Sequence, residues 1–567
     1  MSDVHLVIVL LAVLASSPYV FAVSDQPQRQ PPAEVIYLNG NIYTMNAAQP
    51  RAEGLALAGG HIVAVGSNAE VLNQRQPQTK LIDLGGKTVL PGLIDAHCHV
   101  AGLGGYGLGR VDLSEAQSFD DVVAQIAARV EKAQAGEWIL GGRWDHESWP
   151  QRRLPNHEQL SAVCPDNPVW LTRVDGHAGL ANAAAMKLAG ITSETTAPAG
   201  GEILHDVHGA PTGVFVDNAC ELIESKLGAA KADTATLVLK AQEMCLAVGL
   251  VGVHDAGIAP AEVDVYRQLA ESGQLKLRVY AMVSARYAQA YFREHGLLID
   301  ARLTVRSAKL YADGALGSRG AWLLEPYADR PTDAHSRPYR GLNVMKPEFI
   351  RFIAEDGLRQ GYQVCTHAIG DRANREVLDQ YAVALSRRPA KDHRFRIEHA
   401  QILSLKDIPR FSKQGVIPSM QPTHCTSDMR WVEDRLGPRR VVGAYAWGQL
   451  RRTGVPLPGG SDFPVESHNP FLGLYAAVTR QDVEGQPAGG WRPQERMTRQ
   501  EALRSFTLDA AYAAFEEELK GSLEPGKLAD FIVIDRDVMT CEPREIIETQ
   551  VLKTIVGGEV VYQAETQ

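Results

Sequence analysis

The sequence predicts an α/β fold: a (β/α)8 TIM barrel with a small β-sandwich domain formed from both chain ends and a large insertion after barrel strand 1. Three observations predict it. Eight apolar or β-branched runs alternate with helical pattern, around 92–99, 249–256, 276–284, 305–312, 361–368, 394–401, 415–421 and 455–462, as parallel strands joined through helices do. Ionisable residues recur at the ends of those runs. Short β-rich stretches punctuated by Asn-Gly and Gly-Gly occupy both ends of the chain. A doubly wound sheet is the main rival for the same alternation.

With 45% apolar and 22% charged residues in 567, the chain has ordinary globular composition, which excludes disorder and collagen-like architecture. The net charge of −10 has the wrong sign for non-specific nucleic-acid binding. Seven Cys without any Cys-x-x-Cys indicate neither a zinc knuckle nor a thioredoxin-type pair.

Taken in order, Val4–Ala15 is apolar apart from His5 and too short to span a bilayer. Val20-Phe21-Ala22 supplies residues of the kind a signal peptidase reads, followed by polar Ser24-Asp25-Gln26-Pro27. Residues 1–22 therefore read as a secretory signal peptide, and the protein as exported, periplasmic or extracellular. An uncleaved anchor or a cytoplasmic chain is the alternative, since the first residues hold Asp3 and no Lys or Arg. No other run approaches the length of a membrane helix, so no stable membrane insertion is expected after cleavage. In an oxidising compartment an odd number of cysteines leaves at least one thiol free or paired between chains.

A Pro-rich linker, 23–33, leads into the sandwich, 34–90 plus 518–567. Val35–Leu38 and Ile42–Met45 flank Asn39-Gly40 as a hairpin would, and Leu55–Leu57 and Ile62–Val65 flank Gly59-Gly60. Phe531–Ile534 and the pair Thr554–Val556 and Val560–Tyr562, around Gly557-Gly558, repeat the pattern at the other end. The barrel is expected over 91–517. Ser118 caps a helix over 119–135 stopped by Gly136, and others fall at 347–360, 372–388 and 498–515. The connection from His99 to Leu250 is far longer than an ordinary βα loop, so about 100–248 forms an inserted subdomain over the barrel mouth.

In such a barrel the chemistry lies at the C-terminal ends of strands. The first run ends His97-Cys98-His99; residues two apart share a strand face, so the two imidazoles can chelate one metal while Cys98 faces away. Lys309 lies in the fourth run, His367 ends the fifth, His399 the sixth and Asp462 the eighth. Singly, each is more often a satisfied structural residue. Together they are too costly to bury without pairing or metal. Alternation places Glu398 on the face opposite His399, as a structural residue.

The segment Gly85–His99, GGKTVLPGLIDAHCH, and the segment Gly521–Phe531, GSLEPGKLADF, resemble the metal-dependent amidohydrolase superfamily's lead into strand one and its return to the sandwich. KLYADGALGSR at 309–319, HAIGDRAN at 367–374 and SDFP at 461–464 resemble its N-substituted formamide deformylase-like (amidohydrolase 3) branch, most of whose members have no assigned substrate. The resemblance covers nearly the whole chain. It implies two divalent metal ions, Zn before Mn, Co or Fe, one held by His97 and His99 and the other by His367 and His399. Lys309 would bridge them once carboxylated by CO2. Asp462 would bind the first metal, take the proton from a metal-bound water attacking the carbonyl, and return it to the leaving amine. An unmodified Lys309 paired with Asp313, beside a single metal, is the alternative. Asp175-Gly176-His177 resembles the branch's segment that drops a histidine toward the substrate carbonyl, so His177 is expected to act as an electrophile. Trp144 and Asp145 are candidates for the pocket wall, with a core aromatic the rival reading. Barrels of this group often form homodimers.

Gly102–Gly107 matches G-x-G-x-x-G, but no helical period follows it; a flexible loop over the metal is preferred to a dinucleotide site. No G-x-S-x-G elbow occurs. The expected activity is hydrolysis of a carbon–nitrogen bond in a small linear amide, such as an N-substituted formamide or an N-acyl amine. A cyclic amide, ester or lactone is the alternative substrate, and a non-catalytic binding protein on a barrel scaffold the rival class. Specificity is expected from the 100–248 insertion and the 320–346 loop.

Overall fold

The computed structural model describes residues 32–228, 233–333 and 335–565. The expected signal peptide and the linker up to residue 31 lie outside the described residues.

Seven parallel strands form the central sheet: β1 (Leu93–Cys98), β2 (Leu250–Ile258), β3 (Arg278–Ser284), β4 (Leu303–Tyr311), β5 (Gln363–Ala368), β6 (Arg396–His399) and β7 (Ile417–Ser419). They lie side by side in chain order. The expected eighth strand is not regular. Pro456 and Pro458 have no N–H to give to a ladder, so 455–462 closes the sheet through scattered bonds. On the β7 side Met420 N donates to the Pro458 carbonyl at 3.0 Å and Gly460 N to the Met420 carbonyl at 3.0 Å. On the β1 side Ala96 N reaches the Gly459 carbonyl at 3.0 Å and Asp462 N the His97 carbonyl at 2.8 Å. Buried Asp95 reinforces this side, accepting from Ser461 Oγ at 2.6 Å and from the Ser461 and His97 amides.

The glycine-rich stretch after β1 is a helix, α1 (Val100–Gly107), not a loop. Glycine is a poor helix former, but here it allows a close approach to α2 (Thr234–Ala247). A Cβ at Gly104 would stand 2.0 Å from the Leu237 carbonyl oxygen. Val100 and Leu103 bury the other face, and this packing outweighs the propensity. Further along, α3 (Pro347–Gln360) and α4 (Asp371–Arg387) match expectation within a residue. The helix expected over 119–135 ends at Val130, and that over 498–515 divides into Arg499–Ser505 and Leu508–Ala513.

Both chain ends build one six-stranded sheet, in which Phe531–Ile534 lies between Thr88–Pro91 and Val551–Val556. A four-stranded sheet accompanies it, and Gly54–Ala58 and His61–Gly66 form the expected hairpin there. The other expected N-terminal hairpin does not form. Val35–Leu38 pairs with Gly54–Ala58 and Lys80–Asp83, whereas Asn41–Tyr43 pairs with Arg51–Ala52 and Thr88–Pro91. Asn39, at φ 56°, turns the chain from one sheet into the other. Arg278 on β3 ties barrel to sandwich through Asp530, with ion-pair contacts of 2.5 and 2.7 Å.

The insertion carries its own six-stranded sheet over 111–217. Trp144 belongs to its core, fully buried with Nε1 donating to the Leu171 carbonyl at 2.9 Å; Asp145 reaches the pocket. All seven cysteines are free thiols. Among the described residues no helix is long and apolar enough to cross a membrane.

Candidate metal centre and active site

The strand ends bring the expected residues into one cluster. His97 lies at the end of β1 and His99 just after it, before α1, and Asp462 faces both, its Oδ1 lying 3.7 Å from His97 Nε2 and 3.2 Å from His99 Nε2. The rings of His97 and His399 are 4.9 Å apart, those of His399 and His367 4.5 Å, and those of His367 and His177 4.8 Å. Lys309, in β4, points Nζ at His97 Nε2 from 3.1 Å and lies over the Tyr311 ring. It forms no ion pair with Asp313 among the described residues. Asp313 instead accepts the amides of Trp322, Ile369 and Gly370. Cys98 turns outward and donates to the His254 carbonyl.

Glu398 is the correction that matters most. It faces inward, and its Oε2 holds His97 Nδ1 at 2.6 Å while Arg396 pairs with Oε1 at 2.7 Å. Strand alternation fails at His399, whose backbone is left-handed at φ 72°, so Glu398 and His399 both reach the interior. His399 is oriented in the same manner, its Nδ1 2.7 Å from Gln421 Oε1 just after β7. With Nδ1 occupied, each ring presents Nε2 to the cluster, the arrangement a metal-binding histidine needs. Asp462 is also left-handed, at φ 60°.

Burial, reinforced by the Lys309 cation, brings His97 down to about 4. Burial and neighbouring imidazoles push His367 and His399 well below their ordinary value. All three are neutral donors at pH 7. Burial by itself would raise the Asp462 carboxyl, but His99 against it and the imidazoles of His97 and His399 outweigh that and keep it ionised. His177 moves the other way: burial opposes its charge, yet the bond from its Nδ1 to Asp217 Oδ1, at 2.6 Å, and the charges of Asp217 and Asp175 raise its pKa.

These residues fit a divalent cation. Donor atoms of His97, His399 and Asp462 lie within 4.8 Å of one another, all buried. Among the described residues His367 Nε2 is buried without a hydrogen-bond partner, the Asp313 carboxylate standing off at 3.5 Å, a state that costs stability unless something satisfies it. Neutral imidazoles with a carboxylate suit Zn and similar metals. The converging trio takes one histidine from each expected pair.

A cavity of about 570 Å³ rises from the cluster and is bordered by His177, His367, His399 and Asp462. It also exposes His424, which the sequence reading passed over. His424 lies in α5 (Pro422–Asp428), stacked 5.8 Å from His399 with Nε2 3.7 Å from Asp462 Oδ2. Its position just after the seventh run, behind a helix-starting Pro422, is the signal that could have found it. Asp217 lacked such a signal, being remote in sequence and joined to His177 only through the insertion's strands.

Histidine, lysine and carboxylate donors gathered at the strand ends of a (β/α)8 barrel define a metal-dependent hydrolase. The sequence matches the Amidohydrolase family over residues 80–562, and the chain belongs to that family, as a hydrolase acting on carbon–nitrogen bonds. It is similar to the protein LONG AFTER FAR-RED 3 of Arabidopsis thaliana, 34% identical over 94% of this chain and 92% of that one. The N-substituted formamide deformylase of Arthrobacter pascens is 28% identical over 94% of this chain and 98% of its own. The crystal structure of an uncharacterized metal-dependent hydrolase from Pyrococcus horikoshii superposes with a TM-score of 0.72 at 26% identity, covering 90% of this chain and 99% of that one.

Proposed function

We propose that the protein hydrolyses small linear amides, N-substituted formamides or N-acyl amines, using two divalent cations, Zn foremost. The observation that carries this reading is the convergence of His97, His99, Lys309, His367, His399 and Asp462 at one barrel mouth, with His367 Nε2 buried and, among the described residues, without a hydrogen-bond partner. His97, His99 and Asp462 would hold one cation, His367 and His399 the other, and Lys309 would bridge them after carboxylation by CO2. Bound there, the cations supply a coordinated water of lowered pKa and polarise the scissile carbonyl. His177, its pKa raised and its ring fixed by Asp217, donates a hydrogen bond to the carbonyl oxygen. Asp462, ionised, receives the water's proton and delivers it to the departing nitrogen. The relationship to an N-substituted formamide deformylase supports a linear amide.

Metal analysis with a panel of N-formyl, N-acyl and cyclic amides tests the reading. Two metals per chain, added mass on Lys309 and turnover of linear amides support it. One metal without added mass on Lys309 overturns the bridged site, and turnover confined to cyclic amides or lactones overturns the substrate class. Residues 1–22 are proposed to direct export, which a mature N-terminus at Val23 in the secreted protein would support. A homodimer is proposed too, and a monomeric mass in solution would refute it.

A further inference from the structure

The cluster is reached by two cavities of nearly equal size. The one already described, about 570 Å³, touches Asp462 and has Leu316, Trp431 and Val465 in its walls. The other, about 580 Å³, runs to Lys309 and Tyr311 and is walled by Ser284, Val344 and Met345. Their linings share one residue, His177. Each cavity alone lies in the range of a small-molecule site.

We infer that, granted the amide reading above, the substrate is an N-acyl amine with a sizeable group on each side of the amide. Its amine substituent occupies the first cavity, and an acyl chain longer than formyl occupies the second. In the reaction the C–N bond breaks, the water oxygen bonds to the acyl carbon, and the water's proton passes through Asp462 to nitrogen, leaving a carboxylic acid and a free amine. Asp462 borders the first cavity and not the second, so the nitrogen and its substituent lie on that side. The carbonyl is the junction of the two halves, and His177, which would polarise it, is the residue at which the two cavities meet. A formamide carries only hydrogen on its acyl side and would leave the second cavity filled with water. The cavity is mixed: Asp217, Glu221, Glu224, Arg286 and Asp313 line part of it, while Tyr311, Val344 and Met345 supply an apolar side along which an acyl chain is rewarded.

The test is kcat/KM of the metal-replete enzyme on formyl, acetyl, butyryl and hexanoyl amides of one aromatic amine. The expected result is a rise of about fourfold per buried methylene until the cavity is full. Ser284→Trp and, independently, Val344→Trp should abolish the rise, flattening kcat/KM across the acyl series. Calorimetric titration of Asp462→Asn with the hexanoyl and formyl amides should show the same preference in binding. A parent enzyme fastest on the formamide, with selectivity unaltered in both Trp variants, overturns the two-sided substrate while leaving amide hydrolysis standing. Turnover confined to lactones or cyclic amides overturns the amide reading itself, and this inference with it.

Discussion

His97 and His177 each hold a carboxylate oxygen 2.6 Å from Nδ1, yet their charges diverge. Burial weighs on both. At His97 the carboxylate of Glu398 is shared with the Arg396 guanidinium, and in the metal-free protein the ammonium of unmodified Lys309 approaches the other ring nitrogen; the imidazole stays neutral, with a pKa of about 4. At His177, among the described residues, no cation pairs with the carboxylate of Asp217 and its Oδ2 makes no hydrogen bond, while Asp175 adds a second negative charge nearby. There the imidazole pKa is raised above its ordinary value. The same pair of groups thus goes with a lowered imidazole pKa on the barrel and a raised one on the insertion. The carboxylate's other partner decides which.

Variants can break or sharpen this contrast. Asp462 touches the neutral side, and Asp462→Asn should lower kcat by about 10³-fold or more with metal retained; undiminished turnover would remove it as the base. Glu398→Gln should weaken metal affinity about 10–100-fold, read by competitive chelator titration, and metal binding at parental strength would show that His97 needs no carboxylate. Asp217→Asn should lower kcat by about tenfold or somewhat more with metal content unchanged. If it sheds metal as Glu398→Gln does, the two pairs are not different in kind. The smallest effect is on stability in the metal-free protein. The folded pKa of His177 lies above its unfolded value of roughly 6.5, so the pair's ionic stabilisation is complete below that pH, as long as the Asp217 carboxyl, itself raised by burial, stays ionised, and fades as pH rises through the elevated folded value. The gap in Tm between parent and Asp217→Asn should narrow over that interval; a gap constant with pH would mean His177 is neutral throughout.

Much of this was readable from sequence because β1 obeys the two-residue period. His97 and His99 share a face, and the glycine-flanked apolar runs marked most strand ends. What was missed follows from backbone geometry that residue patterns do not encode. A left-handed His399 put Glu398 inside, against the alternation rule. Two prolines kept 455–462 from becoming a strand although its apolar pattern suggested one. Asn39-Gly40 looked like a hairpin turn, but each flanking strand found its partners elsewhere. The glycines of α1 looked like a loop until α2, far along the chain, supplied the surface they fit. Helices with clear caps and stops, such as α3, needed no distant partner and fell where expected.

The irregular seam at 455–462 has a consequence for how the enzyme would fail. The amide that anchors Asp462 to β1, through the His97 carbonyl, is one of the bonds that close the barrel. Local opening of this proline-interrupted stretch would carry Asp462, the proposed base, away while the histidines stayed on their own strands. Gentle heating should therefore silence the enzyme before it releases metal or loses its fold. Hydrogen exchange would show the first loss of protection at Asp462 and Gly460, with the amides of β4 and β5 still shielded.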